Sequence, residues 1–378
     1  MSQTPVVVKA VRTPQGKEDG VYADVRSEDL SVPLIDEILA ETGLSGEEID
    51  DLMWGCAQQR EEQDNNLARV IALLSELGES VPATTINRWC ASSMQSVISA
   101  SDAIAAGNRD AIIAGGVESM SRVAMGESYG HIHPKISELY DLGDLQMGMT
   151  AEKVAEEYGV SRAEQDEYAA RSQQRATEAT EDGRFDDEIV PIETADGTVE
   201  EDEGIRPGTT PEKLAELPTV FKEDGTVTPG NASQISDGAA ALLVTSEAFA
   251  EEHDLEIMAE IGQNNVAGVD PTVMGIGPVP ATKGLLERNG RDIDDYDLVE
   301  LNEAFASQSI YSRDELGIDP DIFNVNGGAI ALGHPLGASG ARLPVTLINE
   351  LQKRGGGLGL ATLCVGFGQG AAIEFDVN

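Results

Sequence analysis

Short apolar stretches alternate with helical patterns along the first hundred residues, and this alternation restricts the fold more than any other feature of the chain. Residues 6–11 (VVVKAV) have the length and composition of a buried strand, and residues 27–43 place apolar side chains on one helical face before a glycine. An extended segment, 81–90, leads into a helical pattern over 91–107 and an apolar strand at 111–116. Strand, helix and strand in this order predict parallel pairing with right-handed crossovers, and therefore an α/β fold.

The pattern changes in the middle of the chain and then returns. Residues 119–235 are polar and rich in loops, with a capping box at Ser161 and Glu164 that begins a helix. A strand at 239–246 resumes the first pattern, and the last part of the chain repeats strand, turn, helix and strand. This predicts two similar halves of mixed β-sheet covered by helices. The expected boundaries are an amino-terminal half at 1–118, an inserted loop subdomain at 119–235, completion of the amino-terminal half at 236–256 and a carboxy-terminal half at 257–378.

The charge balance excludes several classes of partner. The chain has 68 Asp and Glu against 25 Lys and Arg, a net charge of −43. Such a chain repels nucleic acid and itself at low salt, whereas molar salt screens charges beyond about 3 Å. We expect no nucleic-acid and no membrane partner, and a halophile's cytosol explains the charge; an ordinary acidic protein is the alternative. Without a long apolar stretch or a leader pattern, a cytoplasmic location is expected.

The three cysteines, Cys56, Cys90 and Cys364, are too few and too far apart for a disulfide framework, and no spacing among them suggests a metal site. A free cysteine is most often a small buried residue, and Cys56 keeps that interpretation. Cys90 differs because it lies where an extended segment meets a helix. Unpaired N–H groups and the helix dipole favour a thiolate there, so this position predicts a nucleophile.

Three further positions have the chemistry to act with Cys90. Cys364 precedes a glycine-rich turn whose N–H groups can approach a ligand closely, although a tight hairpin explains the same glycines. His334 lies in a loop of glycines and proline, which distinguishes it from the other three histidines. Asn302 follows the strand DLVEL, where open α/β sheets present functional groups, and its amide can orient a water.

These residues carry a resemblance to the thiolase family that extends over essentially the whole chain. The family's four catalytic boxes appear in order, as NRWCASSMQS (87–96), NEAFA (302–306), GGAIALGHPLGASG (327–340) and CVGFGQG (364–370). The resemblance implies the thiolase fold, layered α-β-α-β-α, and acyltransferase activity. It also implies coenzyme A as a substrate and no tightly bound cofactor.

The resemblance further implies a ping-pong reaction in which Cys90 attacks a 3-ketoacyl-CoA and keeps the shortened acyl group. His334 is expected to take the Cys90 proton, and Cys364 to protonate the departing acetyl-CoA enolate. The N–H groups of Cys90 and Gly366 are expected to hold the first oxyanion. His334 and a water oriented by Asn302 are expected to hold the second.

Contacts with the substrate are carried over in the same way. The resemblance implies that Ser233 lies along the pantetheine arm, that Met147 and Phe305 line the acyl pocket, and that the inserted subdomain binds CoA. By position alone, Arg206 and Arg12 are candidates to offset the CoA phosphates. The family's paired subunits imply a homodimer or homotetramer.

Several departures from the family pattern bear on substrate choice. Ser93 stands where the family usually has glycine, and Phe367 replaces the first glycine after Gly366, which predicts a narrower pocket beside Cys364. Gln146 stands where acetoacetyl-type enzymes commonly carry histidine. The segment NASQISDG resembles the degradative branch, so broad 3-ketoacyl-CoA thiolysis is expected. The alternatives are a biosynthetic acetoacetyl-CoA thiolase, a non-catalytic acyl-CoA-binding scaffold and a ketoacyl synthase. The ketoacyl synthase is disfavoured because such an enzyme is expected to use a second histidine where this chain has Cys364.

The acidic composition generates the first prediction, that stability and activity rise with added salt. Screening relieves the repulsion among the excess carboxylates, so the midpoint of thermal unfolding and the turnover rate should both increase from about 0.1 M to about 3 M KCl. Thermal unfolding and an activity assay over this range measure the effect. Values that peak in dilute buffer and fall with salt would contradict the halophilic hypothesis.

Overall fold

The computed structural model describes residues 3–125 and 132–378, which form a mixed α/β fold. The strands are β1 (Pro5–Arg12), β2 (Gly16–Lys17), β3 (Asp51–Gly55), β4 (Ala83–Ile86), β5 (Ala111–Ser119), β6 (Ile192–Thr194), β7 (Gly197–Val199), β8 (Ser236–Ser246), β9 (Ala259–Gly268), β10 (Leu298–Leu301), β11 (Gly357–Val365) and β12 (Gln369–Val377). The α-helices are α1 (Ser27–Thr42), α2 (Leu67–Leu74), α3 (Ser92–Ala105), α4 (Ile136–Leu139), α5 (Met147–Tyr158), α6 (Arg162–Glu181), α7 (Pro211–Ala215), α8 (Glu247–Glu252), α9 (Pro278–Asn289), α10 (Ala306–Leu316), α11 (Ala329–Leu332) and α12 (Leu336–Arg354). No helix among these residues is both long enough and apolar enough to cross a membrane.

The two halves of the chain repeat one strand topology. In the first half the spatial order is β1, β8, β5, β3, with two antiparallel pairings followed by a parallel one. In the second half β9, β12, β11 and β10 follow the same order and the same directions. A short antiparallel pairing between β1 and β9, at Val6 with Glu260 and Val7 with Ala259, joins the halves. The predicted duplication of a mixed β-sheet is therefore confirmed.

Helices cover both half-sheets in layers. The helices α1 and α2 pack on the outer face of the first half-sheet, and α9 and α10 pack on the outer face of the second. Between the half-sheets lies a central layer formed by α3 and α12, whose apolar side chains join one core with residues of both sheets. Strands β5 and β8 are buried along their whole length because helices cover both faces, which explains their continuous apolar sequences. The predicted α-β-α-β-α layering is confirmed.

The segment between β5 and β8 packs against the second half of the chain. Its long helix α6 begins at the predicted capping box, where Ser161 and Glu164 bond reciprocally. The buried Glu303, just after β10, accepts hydrogen bonds from Tyr168 Oη at 2.8 Å and Ser172 Oγ at 2.6 Å of α6. This carboxylate therefore fixes the segment from the first half beside the end of β10.

The two central helices approach each other closely behind Cys90 and His334. Gly340 allows this approach, whereas Gly55, Gly116 and Gly337 allow the same helices to lie close to the strands β3 and β5. A Cβ atom added at Gly340 of α12 would lie 2.5 Å from the backbone nitrogen of Met94 in α3. The Ser93 hydroxyl accepts a hydrogen bond of 2.9 Å from the Ala341 N–H, so the residue that departs from the family pattern ties α3 to α12.

Some elements differ from the sequence-based expectation. The sequence NNLARVIALLSELG over residues 65–78 has a helical pattern, but only the eight residues of α2 are helical, because Ser75 is extended. Strands β3 and β9 and helix α9 were not predicted. In β9 polar residues and glycine interrupt the apolar positions, and even the buried Asn265 is polar; the first turn of α9 contains two prolines, so neither element presents a continuous apolar pattern.

The close helix crossing predicts that Gly340→Ala destabilises the protein. Alanine in a helix interior is normally favoured over glycine by about 0.5–1 kcal/mol. Here the added methyl group meets backbone atoms of α3, and overpacking of this kind costs about 1–3 kcal/mol. Urea unfolding at constant high salt should show a lower midpoint.

The matched control for this prediction is Gly268→Ala in β9. An added Cβ at Gly268 would lie 4.0 Å from the Gly368 carbonyl oxygen, so the unfolding midpoint of this variant should stay close to that of the wild type. Equal midpoints for Gly340→Ala and the wild type would contradict the proposed importance of the crossing.

Candidate active site

Cys90 lies in the turn between β4 and the amino terminus of α3, as the sequence predicted. The preceding Trp89 has a left-handed backbone conformation with φ 45°, which turns the chain sharply into the helix. The backbone N–H groups of Gly366 and of Cys90 itself face the Cys90 sulfur as hydrogen-bond donors. The first half therefore contributes the thiol, and the turn after β11 in the second half contributes a donor to the same point.

His334 lies immediately before α12, and its ring is fixed by a serine of the same helix. Its Nδ1 is 2.6 Å from Ser339 Oγ, and that hydroxyl donates its own proton to the Pro335 carbonyl at 2.9 Å. With the serine proton on that carbonyl, the tautomer that satisfies both groups has its proton on Nδ1, which donates to Ser339 Oγ. The lone pair of Nε2 is then free to accept a proton.

Asn302 lies at the end of β10 beside the imidazole. Its amide nitrogen is 3.3 Å from His334 Nε2 and 3.4 Å from Nδ1. The Asn302 Oδ1 is buried and accepts no hydrogen bond from any group in the described part of the chain. The amide is therefore able to orient a water next to the histidine.

Cys364 lies at the end of β11 and is completely buried. Its side chain belongs to a small apolar cluster with Met274 and Phe305, against which Met147 also packs. A charge on Cys90 acts on Cys364, so the two sulfurs lie near each other. The structure thus brings together all four residues that the sequence singled out.

A cavity of about 540 Å³ opens onto Cys90 and His334. The predicted substrate contacts Met147, Ser233 and Phe305 line it, as does Gln146. Other lining residues were missed by the sequence analysis, namely Met120, Leu142, Phe221, Met274 and Leu336. They come from separate segments with no shared motif, so no sequence signal could have grouped them. Their side chains make most of the cavity wall apolar.

Burial keeps the resting site neutral. Burial raises the pKa of Cys90 to about 11, and the N–H groups of Gly366 and Cys90 only partly oppose this effect. Burial, helped by the charge of Arg342, lowers the pKa of His334 to about 3. Burial also raises the pKa of Cys364 well above its usual range. The expectation that the helix start makes Cys90 a thiolate is therefore wrong for the resting site, because desolvation outweighs the helix end.

The two arginines proposed for the CoA phosphates have different surroundings. Arg206 is exposed, and its Nη2 lies 3.5 Å from Oε1 of Gln234, a residue of the cavity wall. Arg12 is completely buried, donates to Glu188 at 2.6 Å and forms a bidentate pair with Asp202 at 2.7 and 3.0 Å. The proposal for Arg12 is wrong because two buried carboxylates already neutralise it.

The remaining sequence proposals concern side chains away from the cavity. Phe367 packs against Trp89 with ring centroids 5.6 Å apart and is not part of the cavity wall, and a narrower pocket beside Cys364 stays a prediction. His253 stacks on Phe249, and His131 lies outside the described residues. Over residues 3–125 and 132–378, no group of three or more His, Cys, Asp or Glu side chains could hold a metal ion.

The duplicated fold, with a cysteine from one half facing a histidine and a second cysteine from the other, defines a class of enzymes that transfer acyl groups through a cysteine. Two family profiles match the chain, "Thiolase, N-terminal domain" over residues 5–248 and "Thiolase, C-terminal domain" over residues 255–377. The chain belongs to the thiolase family.

Individual relatives agree with this assignment along the whole chain. The 3-ketoacyl-CoA thiolase of Marinobacter nauticus is 46% identical over 382 residues, with 98% of this chain and 97% of that protein covered. The 3-ketoacyl-CoA thiolase of Pseudoalteromonas translucida is 48% identical over 385 residues, covering 98% of each. Two solved structures are each 40% identical and cover 100% of this chain and 99% of the other. They are the Bacillus anthracis acetyl-CoA acetyltransferase, with a TM-score of 0.92, and human mitochondrial 3-ketoacyl-CoA thiolase, with a TM-score of 0.90.

The Ser339 contact predicts that Ser339→Ala disturbs the tautomer of His334. Removing the acceptor leaves a buried N–H unpaired at a cost of about 1–3 kcal/mol, so kcat/KM should fall by roughly 5- to 150-fold. Nitrogen NMR of the imidazoles, feasible with four histidines in the chain, should show one Nδ1–H tautomer for His334 in the wild type and a loss of that preference in the variant.

Ser96→Ala is the matched control for this measurement. Ser96 is equally buried, and its hydroxyl donates to the Ser92 carbonyl one turn earlier, but it makes no recorded contact with histidine. It should leave the His334 tautomer unchanged. An unaltered tautomer in Ser339→Ala would refute the assignment.

Proposed function

We propose that this enzyme catalyses the reversible CoA-dependent thiolysis of 3-ketoacyl-CoA to acetyl-CoA and a shortened acyl-CoA. The observation that carries the proposal is that Cys90 and His334, from the two halves of the chain, line one apolar cavity. Asn302 lies beside the imidazole, and the buried Cys364 lies near the Cys90 sulfur. A scaffold that only bound acyl-CoA would have no need of two sulfurs and a fixed imidazole at the same point.

In the first half-reaction, His334 Nε2 takes the Cys90 thiol proton as the sulfur bonds to the 3-keto carbon of the substrate. The C2–C3 bond then breaks, and its electron pair leaves on the acetyl-CoA enolate. Cys364 gives its proton to C2 of that enolate, and the shortened acyl group stays on Cys90 as a thioester. Since Cys90 and His334 are both neutral at rest, charge separates only when a substrate oxygen is present to share it.

In the second half-reaction, the Cys364 thiolate takes the proton of the CoA thiol. The CoA sulfur attacks the acyl thioester, and the Cys90 sulfur leaves and recovers its proton from His334. Cys364 and His334 then have their original protons. In the direction of synthesis the same steps run backwards.

Two oxyanion sites follow from the contacts around the sulfur and the imidazole. The N–H groups of Cys90 and Gly366 face the Cys90 sulfur, which supports their binding the oxygen of a tetrahedral intermediate there. The unpaired Asn302 Oδ1 beside His334 supports a water-mediated site for the enolate oxygen. Donors of this kind contribute about 2.7–4 kcal/mol each to transition-state stability in enzymes where they have been removed.

We infer that the CoA moiety extends from the cavity towards the segment 119–235. Ser233 lies in the cavity wall and supports contact with the pantetheine arm, while Arg206 next to Gln234 supports a contact with a phosphate. CoA is a substrate here, with no tightly bound cofactor. The division of the chain at residues 118, 235 and 256, a cytoplasmic location and a homodimer or homotetramer remain predictions.

A biosynthetic acetoacetyl-CoA thiolase is the second candidate. The likeness to the acetyl-CoA acetyltransferase structure favours it. The apolar side chains of Met120, Leu142, Phe221 and Met274 favour the first candidate instead, because acetyl groups alone gain little from a wide apolar wall. Gln146 in that wall also fits the degradative branch.

The test combines a substrate series with the variant Cys90→Ser. In molar salt, the wild type should convert acetoacetyl-CoA plus CoA to acetyl-CoA and should also cleave longer 3-ketoacyl-CoA substrates. Cys90→Ser should lose about a thousandfold or more in turnover, because a serine hydroxyl is a far weaker nucleophile at this site.

Two outcomes would contradict the proposal. Cleavage of acetoacetyl-CoA alone would favour the biosynthetic branch, and undiminished turnover by Cys90→Ser would exclude an acyl-cysteine intermediate. Binding of acetyl-CoA by Cys90→Ser with an affinity close to that of the wild type serves as the control for correct folding.

A further inference from the structure

A buried carboxylate, Glu118, connects the elements that carry Cys90 and His334. It lies at the end of β5 and its side chain is completely buried. Four N–H groups donate to it: those of Ala57 at 2.9 Å, Gln58 at 3.1 Å and Gly337 at 2.8 Å, and the Gln63 side-chain amide at 2.7 Å. A buried carboxylate with this many donors is fully satisfied by hydrogen bonds.

The Gly337 bond attaches Glu118 to the start of α12. Gly337 is the second residue of that helix and follows His334 by three positions. The carboxylate therefore lies at the positive end of the helix, where a negative charge is stabilising. An added Cβ at Gly337 would lie 2.3 Å from the Val117 carbonyl oxygen, so α12 also touches the β5 backbone here. Any shift of Glu118 would move the start of α12 and the imidazole before it.

The same carboxylate acts electrostatically on Cys90. Its partners at hydrogen-bond distance are N–H groups, with the Cys56 thiol at 3.7 Å, so the ionised form fits the site. Burial raises the pKa of Glu118 above its usual range, while its four donors oppose this. Burial is the largest cause of the raised pKa of Cys90, and the negative charge of Glu118 adds to it. The other titratable groups near the sulfur are His334, in the same cavity wall, and Cys364.

We propose that Glu118 is a positioning residue that couples the two reacting partners. Its carboxylate holds the start of α12, and with it His334, against the strands beside Cys90. Its negative charge adds to the burial that keeps Cys90 protonated until His334 accepts the proton. The resting sulfur is therefore mostly thiol, which slows its alkylation and oxidation. The role of His334 as the acceptor rests on the proposed function, whereas the effect of Glu118 on the Cys90 thiol does not.

Glu118→Gln tests both the positioning of α12 and the effect of the charge on Cys90. It removes the negative charge, and it places an amide N–H₂ group against N–H donors to which it cannot bond. Iodoacetamide labelling of Cys90 without substrate, followed by mass spectrometry of the peptide, reports the thiolate. Loss of the charge should lower the Cys90 pKa, because a nearby negative charge disfavours the thiolate. At about pH 8.5 the labelling rate should then rise about threefold, since lower basicity offsets part of the gain in thiolate. Thiolysis should fall about tenfold or more, because His334 is displaced.

A faster-labelled sulfur together with slower turnover is the signature of the proposal, and a merely structural role would not produce it. Glu118→Asp keeps the charge but shortens the side chain, so it should slow thiolysis while Cys90 labelling stays at the wild-type rate. This second variant also serves if Glu118→Gln is unstable.

Glu374→Gln is the matched control. Glu374 is a buried carboxylate of β12 with three donors, Tyr296 Oη at 2.6 Å, Asn289 Nδ2 at 2.8 Å and the Gln263 N–H at 2.9 Å. It should lower stability without changing Cys90 labelling. Unchanged labelling in Glu118→Gln, or faster labelling in Glu118→Asp, would overturn the proposal. A different result would overturn the proposed function alone. In that case the wild type would not cleave 3-ketoacyl-CoA, but Cys90 would still be labelled faster in Glu118→Gln and at the wild-type rate in Glu118→Asp.

Discussion

The close contact between α3 and α12 is the constraint on which the rest of the structure depends. Cys90 precedes one helix and His334 precedes the other, so the spacing of the helices sets the spacing of the sulfur and the imidazole. Backbone reaches backbone where Gly340 meets Met94, and no larger side chain at that glycine would permit it. Duplication of the fold explains the symmetry, because each half contributes one helix of the central layer. The active site is thus a product of the interface between halves.

Packing the site into this layer determines its electrostatics. Exclusion of water raises the pKa of Cys90 and lowers that of His334, so proton transfer between them at rest is unfavourable. The N–H groups facing the sulfur are fixed before the reaction begins. They therefore need little reorganisation to stabilise a developing negative charge, whereas water molecules would have to reorient. Ser339 holds the imidazole in the tautomer that accepts a proton. In the proposed reaction, the chemistry therefore begins from neutral groups and relies on the substrate oxygen to receive the charge.

The sequence predicted which residues form the candidate site better than it predicted their ionisation. Strand-to-helix and glycine-rich patterns located Cys90, His334, Asn302 and Cys364, because each marks a local backbone requirement. The ionisation of Cys90 depends on how deeply neighbours bury it, which no local pattern contains. Arg12 was misassigned for a related reason, because the carboxylates that neutralise it are about 180 residues away along the chain. The strand β9 was missed because its outward face is polar.

The acidic composition limits where positive charge can be used. With 25 Lys and Arg against 68 acids, each buried arginine is one fewer for the surface. Arg12 and Arg342 are both buried and neutralise carboxylates of the interior, the second by a 3.4 Å contact with Glu300. The remaining cations, such as Arg206, are far outnumbered by acids, so a CoA molecule with several phosphate charges approaches a surface of the same sign. Salt therefore acts on the binding of CoA as well as on folding. Screening strongly weakens the long-range repulsion between CoA and the acidic surface, but it weakens a short contact at the cavity mouth much less.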